Sequence, residues 1–160
     1  MRSLIKTLLR ESLLRENDMS NKVLMDKFIL FVNDYLGLDK PCSIKLTKDR
    51  EDITTTAYYD IVNRVICVYI KDRAIMDVMR SVAHELVHHH QNEKGQLKGL
   101  PSEGADGSDI ENEANAKAGE IIRVFGKQNR GTPIQVKKIC KVCQMDLGFP
   151  TKDELKKAGY

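Results

Sequence analysis

The chain has 160 residues, of which 41% are hydrophobic and 31% are charged, and its formal net charge at pH 7 is +3. This length and apolar content can support one domain with a sizeable core, but they leave little room for a second full domain. The net charge is too small to predict a polyanionic partner, so nucleic acid is not expected to be a ligand.

The first predicted element is an amphipathic helix near the N-terminus. Leucine and isoleucine recur at three- and four-residue spacing between Ser3 and Arg15, which is a helical pattern. Charged residues interrupt the apolar residues of this segment, which argues against a signal sequence, a transit peptide or a membrane span. We therefore expect residues 1–18 to form a helix that packs on the body of the protein or on a partner, and we expect a cytoplasmic protein.

A second helix and a group of strands are predicted next. The helix over residues 20–36 has one apolar face, an N-cap at Ser20 or Asn21, and a stop at Gly37. Three segments rich in β-branched and aromatic residues follow, at 42–46, 53–59 and 65–70. A turn over residues 60–63 would join the last two into a hairpin. We expect a small antiparallel sheet.

The third predicted helix, capped by Asp72 and ended by Gly95, contains the sequence H-E-L-V-H at residues 84–88. Because residues four apart project from one face of a helix, His84 and His88 can bind a single Zn²⁺ while Glu85 reaches the water that the metal activates. A helical wheel places Gln91 on this polar side, opposite an apolar set formed by Met76, Met79, Val82, Ala83, Leu86 and Val87. Two exposed histidines on an ordinary amphipathic helix would give the same wheel.

The third ligand of such a site should be a carboxylate or, as a second choice, a cysteine, because all four histidines lie between residues 84 and 90. After a glycine-rich loop at 96–107, a further predicted helix carries E-N-E-A-N at residues 111–115. Its wheel places Glu111 on an inward-facing stripe and Glu113 on an outer face with Glu120. We therefore predict Glu111 as the ligand. The alternative is a capping box, in which Glu111 bonds back to the backbone of Ser108.

Together, H-E-L-V-H and E-N-E-A-N resemble the motifs of the glutamate-zincins, in particular the small zinc peptidases of the ImmA/IrrE type, with motifs H-E-L-x-H and E-x-E-A-N. The resemblance covers roughly residues 53–125. It implies an α+β, minimal zincin-like core, in which a small antiparallel sheet packs on the HExxH helix and on a glutamate-bearing helix. It also implies zinc bound by His84, His88 and Glu111, with Glu85 as general base. The chain lacks the family's usual continuation after the second motif and its helix-turn-helix segment, so repressor cleavage is not implied.

In that family, an edge strand beside the metal helix binds extended substrate by backbone pairing. Here the strand at 53–59 or the strand at 65–70 would be this edge. Tyr58, Tyr59 and Arg64 could steady a developing oxyanion, but aromatic residues in strands are usually packing residues. We therefore assign none of the three to the site.

The function that the resemblance implies is hydrolysis of a peptide or protein substrate by a zinc metallopeptidase. Two alternatives remain open: a peptidoglycan amidase or endopeptidase that uses the same site, and a structural or regulatory zinc-binding protein without turnover. The chain also resembles short phage proteins that have H-E-L-V-H-H and E-N-E-A-N-A segments. That second resemblance implies a phage-encoded protein, for which association with the virion is the alternative to the cytoplasm.

The C-terminal segment, residues 127–160, is basic, with eight Lys or Arg against three acids. Such a tail is more often a solvated face than a nucleic-acid-binding surface. Cys140 and Cys143 form half of a zinc ribbon, but Cys42 and Cys67 are too far apart in sequence to be the second pair. We expect free thiols. The predicted organisation is an N-terminal helix (1–18), a metallopeptidase domain (19–126) and a basic extension (127–160).

Overall fold

A computed structural model describes residues 21–49, 55–129 and 143–145. The predicted helix at 1–18, the cap at Ser20, Cys140 and the side chain of Cys143 lie outside the described residues, as does most of the basic extension. The elements in chain order are helix α1 (21–36), strands β1 (Cys42–Thr47), β2 (Ala57–Asp60) and β3 (Val65–Tyr69), helix α2 (Ile75–Glu93), a short 3₁₀ helix (Pro101–Gly104), helix α3 (Asp109–Gln128) and strand β4 (Cys143–Met145).

The protein is α+β, as predicted, but the sheet is mixed and the prediction of an antiparallel sheet is wrong. The strand order is β2-β3-β1-β4, in which β1 pairs in parallel with both β3 and β4 and only β2 and β3 are antiparallel. Hydrophobic alternation marks a strand but does not specify the direction in which it pairs. The direction depends on the path of the whole chain. Here β3 lies between β2 and β1, and it runs antiparallel to β2 but parallel to β1.

The predicted turn between β2 and β3 is confirmed. The Asp60 carboxylate accepts hydrogen bonds from the backbone N–H groups of Val62 and Asn63, each at 3.0 Å. An aspartate that bonds to the backbone two and three residues later stabilises a tight turn. This turn makes β2 and β3 neighbours and leaves β2 at one edge of the sheet.

Helix α1 packs against α3 through aromatic rings. The ring centroids of Phe28 and Phe31 lie 5.0 and 5.3 Å from that of Phe125. Full burial of one such side chain contributes roughly 1.5–3 kcal/mol. Gly37 ends α1, as predicted, at a φ of +64°, which glycine adopts without a steric penalty.

The start of α2 differs from the prediction. Asp72 is not the N-cap; it adopts a left-handed φ of 57° in the turn after β3, and the helix begins two residues after Arg73 with no side-chain cap. Aspartate tolerates such a turn conformation, which is the physical reason for its place here. Arg73 secures the junction instead, because its guanidinium donates to the Tyr69 carbonyl and to the Ser81 hydroxyl, both at 2.8 Å.

The apolar face of α2 lies on the sheet and on α3. Five of the six residues predicted for this face are buried, whereas Met76 in the first turn is 50% exposed and Val78 is buried instead. A helical wheel gives the direction of a side chain but not the point along the helix at which the core ends. Gln91, predicted on the polar side, is fully buried because α3 covers that side of the helix. No helix among the described residues has the length and apolarity needed to cross a membrane.

Candidate metal centre

Two helices bring the three predicted ligand side chains together. His84 and His88 lie one turn apart on the same face of α2. Ser108 caps α3, and its hydroxyl oxygen accepts a hydrogen bond from the backbone N–H of Glu111 at 3.2 Å. This cap sets Glu111 in the first turn of α3, beside the two histidines.

The ligand atoms form a compact triangle. The Nε2 atoms of His84 and His88 are 3.0 Å apart, and the two carboxylate oxygens of Glu111 lie 3.2 Å from one Nε2 each. Zinc binds such atoms at about 2.0–2.2 Å, so the ligand atoms of a tetrahedral site are separated by about 3.3 Å. The three side chains therefore fit a small cation, and this cluster could hold a metal ion.

The capping-box alternative for Glu111 is realised only in part. Ser108 accepts from the backbone of Glu111, but its own backbone N–H donates to the carbonyl of Ala105 at 3.0 Å. The Glu111 carboxylate lies at the histidines instead. Glu111 therefore contributes its backbone N–H to the cap of α3 and its carboxylate to the ligand cluster.

Glu113, whose side chain is 40% exposed, shares the outer face of α3 with Glu120, as the wheel predicted, but the two residues have different hydrogen-bond partners. The Glu113 carboxylate accepts a hydrogen bond from Nε2 of the buried Gln91 at 3.0 Å, whereas Glu120 accepts from the Tyr35 hydroxyl at 2.7 Å. The two glutamates thus contact different helices, α2 and α1. The wheel could not show this difference because it contains no neighbouring helix.

Burial controls the charge of the fourth predicted site residue. Glu85 is only 6% exposed, and burial, with a smaller contribution from the negative charge of Glu111, raises its pKa to about 8. Burial also lowers the pKa of His84, an effect that neighbouring His88 reinforces and that Glu111 and a hydrogen bond with Asn115 oppose. Neutral imidazole is the form of histidine that binds metal.

The cluster opens into a cleft of about 480 Å³. Its walls are the polar side of α2 with His84, Glu85 and His88, the edge strand β2, and the loop over residues 97–104. Of the two strands predicted as the edge, β2 occupies that place and β3 is interior, so the second possibility was wrong. Within the sheet that the structure describes, the edge strand β2 therefore lies next to the ligand cluster.

The loop wall of the cleft is held by its own glutamate, which the sequence analysis did not single out. The carboxylate of Glu103 accepts hydrogen bonds from the backbone N–H groups of Lys98, Gly99 and Leu100 at 2.8, 2.9 and 3.2 Å. Gly99 has a φ of +73°, which favours glycine. The side chain of Leu100 remains 53% exposed at the cleft. The signal that could have found this loop is Pro101 at the first position of the 3₁₀ helix with Glu103 at its third, from which a carboxylate reaches back to the helix start.

His89 points away from the cluster. Its Nε2 lies 3.0 Å from the carbonyl oxygen of Lys40 and its Nδ1 lies 2.8 Å from the Tyr59 hydroxyl, which also accepts a hydrogen bond from Asn92 at 2.8 Å. Burial lowers the pKa of His89. The Tyr59 hydroxyl is thus engaged inside the fold, in agreement with its omission from the site.

Comparison of the chain with models of known protein families, with functionally characterised proteins and with solved structures gave no match. The resemblance to small zinc peptidases therefore depends on the two sequence motifs alone.

Proposed function

We propose that the chain is a zinc-dependent metallopeptidase of the glutamate-zincin type, in which His84, His88 and Glu111 bind Zn²⁺ and Glu85 is the general base. The observation that carries this proposal is the buried carboxyl group of Glu85 in the wall of the cleft that contains the three ligand atoms. A purely structural metal site needs the three ligands but has no use for a fourth acid in the wall of the same cleft.

In the proposed reaction, the three ligands and Glu85 have different roles. His84, His88 and Glu111 supply the three protein ligands that are typical of catalytic zinc sites. Bound there, Zn²⁺ would polarise the scissile carbonyl and lower the pKa of a water molecule in the cleft. Glu85 accepts the proton of the attacking water on a carboxylate oxygen and delivers it to the leaving amine. Both transfers use one carboxyl group, which lies in the wall of the cleft that contains the ligand atoms.

The shape of the cleft favours an extended peptide or protein segment as substrate. Among the described strands, β2 is the edge strand nearest the ligand cluster, and edge strands are the strands along which extended peptides bind by backbone pairing. Such pairing positions a peptide alongside the ligand cluster without strong dependence on side-chain identity. Selectivity then has to come from the loop wall, which presents Leu100 to the cleft.

The test uses the parent chain and the Glu85→Gln variant with fluorescein-labelled casein as probe. Both should carry about one zinc per molecule, because Glu85 is not a ligand. Hydrolysis should fall by roughly 10²–10⁴-fold in the variant, the contribution typical of a general base. Glu120→Gln, the same chemical change at a distant position of α3, should match the parent in both measurements.

Full activity of Glu85→Gln would show that Glu85 is not the base. A parent protein that contains no zinc and shows no thermal shift when zinc is added would contradict the metallopeptidase proposal. Purified peptidoglycan serves as a second probe: its cleavage with intact casein would assign the amidase alternative. Zinc binding by the parent with neither probe cleaved would favour a structural or regulatory role.

A further inference from the structure

A buried amide joins His88 to α3. The Oε1 atom of Gln91 lies 2.8 Å from Nδ1 of His88, while its Nε2 donates to the carbonyl oxygen of Ile110 at 3.1 Å and to Oε2 of Glu113 at 3.0 Å. The Gln91 side chain is fully buried. All of its polar atoms are therefore satisfied within the protein, by partners on both helices.

These contacts determine where the proton of the His88 ring lies. The carbonyl of Ile110 and the carboxylate of Glu113 can only accept hydrogen bonds, so the amide nitrogen of Gln91 must face them. Its Oε1 then faces His88 and must accept a hydrogen bond from an N–H at Nδ1. In a neutral ring, a proton on Nδ1 leaves the lone pair on Nε2. That Nε2 is the atom 3.2 Å from the Glu111 carboxylate.

We propose that Gln91 and Glu113 are positioning residues that hold His88 in the tautomer and the orientation needed to bind zinc. This inference depends on the proposed zinc site. Both glutamates of the E-N-E-A-N motif then serve the metal centre, Glu111 as a ligand and Glu113 through Gln91. Lys117 completes the chain of contacts, because its Nζ lies 3.3 Å from the second carboxylate oxygen of Glu113 and orients that group.

A merely structural role for Gln91 would produce a different set of effects. A buried amide between two helices stabilises their contact, so a loss of stability on its replacement is expected under either role. Positioning predicts two further changes, in zinc affinity and in the ring tautomer of His88. These two quantities separate the roles.

The first measurement is the dissociation constant for Zn²⁺, obtained by competition with a chromogenic chelator. Gln91→Leu removes the hydrogen bonds of this side chain to His88 and to α3. It should weaken zinc binding by roughly 10–100-fold, the range typical of residues that orient a metal ligand. Glu113→Gln keeps an acceptor oxygen for Gln91 but removes its charge, so the loss should be about 10-fold. Glu120→Gln is the matched control on the same helix and should bind like the parent.

The second measurement is the long-range ¹H–¹⁵N NMR correlation of the His88 ring in chelator-treated protein. The parent should show the proton on Nδ1, and Gln91→Leu should show a mixture of tautomers or the proton on Nε2. If Gln91→Leu does not fold, Glu113→Gln carries the test, because it preserves the shape of the side chain.

A parent ring with its proton on Nε2 would overturn the inference. So would unchanged zinc affinity in folded Gln91→Leu, or unchanged affinity in Glu113→Gln where the leucine variant does not fold. These results are distinct from failure of the proposed function, which would appear as a parent protein that binds no zinc or that binds zinc and cleaves no casein.

Discussion

Adjacent histidines on α2 have opposite environments. His84 and His88 face α3, where their Nε2 atoms converge on the carboxylate of Glu111. His89 faces the sheet side of α2. There its ring nitrogens form hydrogen bonds with the Tyr59 hydroxyl in β2 and with the carbonyl of Lys40, which precedes β1. The carbonyl can only accept, so Nε2 of His89 carries the proton and Nδ1 accepts from the tyrosine.

The difference shows that the neighbouring element, and not the residue type, decides the chemistry of these imidazoles. On the α3 side, His88 has a nitrogen with an available lone pair beside a carboxylate. On the sheet side, both nitrogens of His89 are used within the fold. His84 and His88 should therefore affect metal binding, whereas His89 should affect stability. The following substitutions test this separation, from the largest expected effect to the smallest.

Glu111→Gln should produce the largest change. Loss of a protein ligand should weaken zinc binding by more than about 100-fold, beyond the range expected for residues that only orient a ligand. Chelator competition measures this loss, and Glu113→Gln is the comparison, with an expected effect of about 10-fold. If only Glu113→Gln abolished tight binding, the assignment of Glu111 as the third ligand would be wrong.

His89→Leu should lower the free energy of unfolding by about 2 kcal/mol, because it removes a fully buried imidazole that bonds to the Lys40 carbonyl and to the Tyr59 hydroxyl. The zinc content should remain near one per chain. Urea denaturation of the metal-free protein gives the stability, and His84→Leu is the matched control. That control should lose zinc but change metal-free stability by less than about 0.5 kcal/mol, since His84 lies at the cleft. Equal destabilisation by His89→Leu and His84→Leu would show that the two histidines do not differ in their contribution to stability.

Tyr59→Phe should cost about 1 kcal/mol, because it removes a hydroxyl that donates to His89 and accepts from Asn92. A double-mutant cycle with His89→Leu should show a coupling energy of roughly 1 kcal/mol, since the two side chains share one hydrogen bond. Additive effects in urea denaturation would show that this bond contributes nothing measurable.

Replacement of both Cys140 and Cys143 by serine should have the smallest effect. We expect free thiols, so the stability should change by less than about 0.5 kcal/mol and the zinc content should stay near one. Metal analysis checks this directly. A fall from two zinc ions to one would reveal a second site, and every metal count for the histidine variants would then have to be corrected for it.

The sequence predicted those parts of the candidate site that depend on one helix at a time. The convergence of His84 and His88 follows from a four-residue spacing, and the placement of Glu111 follows from its position after the cap at Ser108. The wheel predicted the side of α2 on which Gln91 lies but not its burial, because the burial depends on α3, which a wheel of α2 alone does not contain. Contacts between helices are set by the packing of the whole fold.

The sheet shows the same limit at a larger scale. The turn at Asp60 was predictable because aspartate bonds to its own neighbouring backbone. The parallel pairing of β1 with β3 was not, because it joins residues such as Ser43 and Val65 that are distant in the chain. The predicted edge at β2 or β3 could be decided only when that pairing was known.

The carboxylate of Glu103 has a consequence for the thermodynamics of ligand binding. Three consecutive backbone N–H groups of the cleft wall are occupied by a side chain of the same loop, so this segment is ordered before any peptide enters. A flexible wall would lose conformational entropy on binding, whereas this one has already lost it on folding. The occupied N–H groups cannot at the same time bind a substrate carbonyl. Binding of a ligand in the cleft should therefore carry only a small entropic penalty from this loop. The part of the loop that can contact a ligand is the exposed apolar side chain of Leu100.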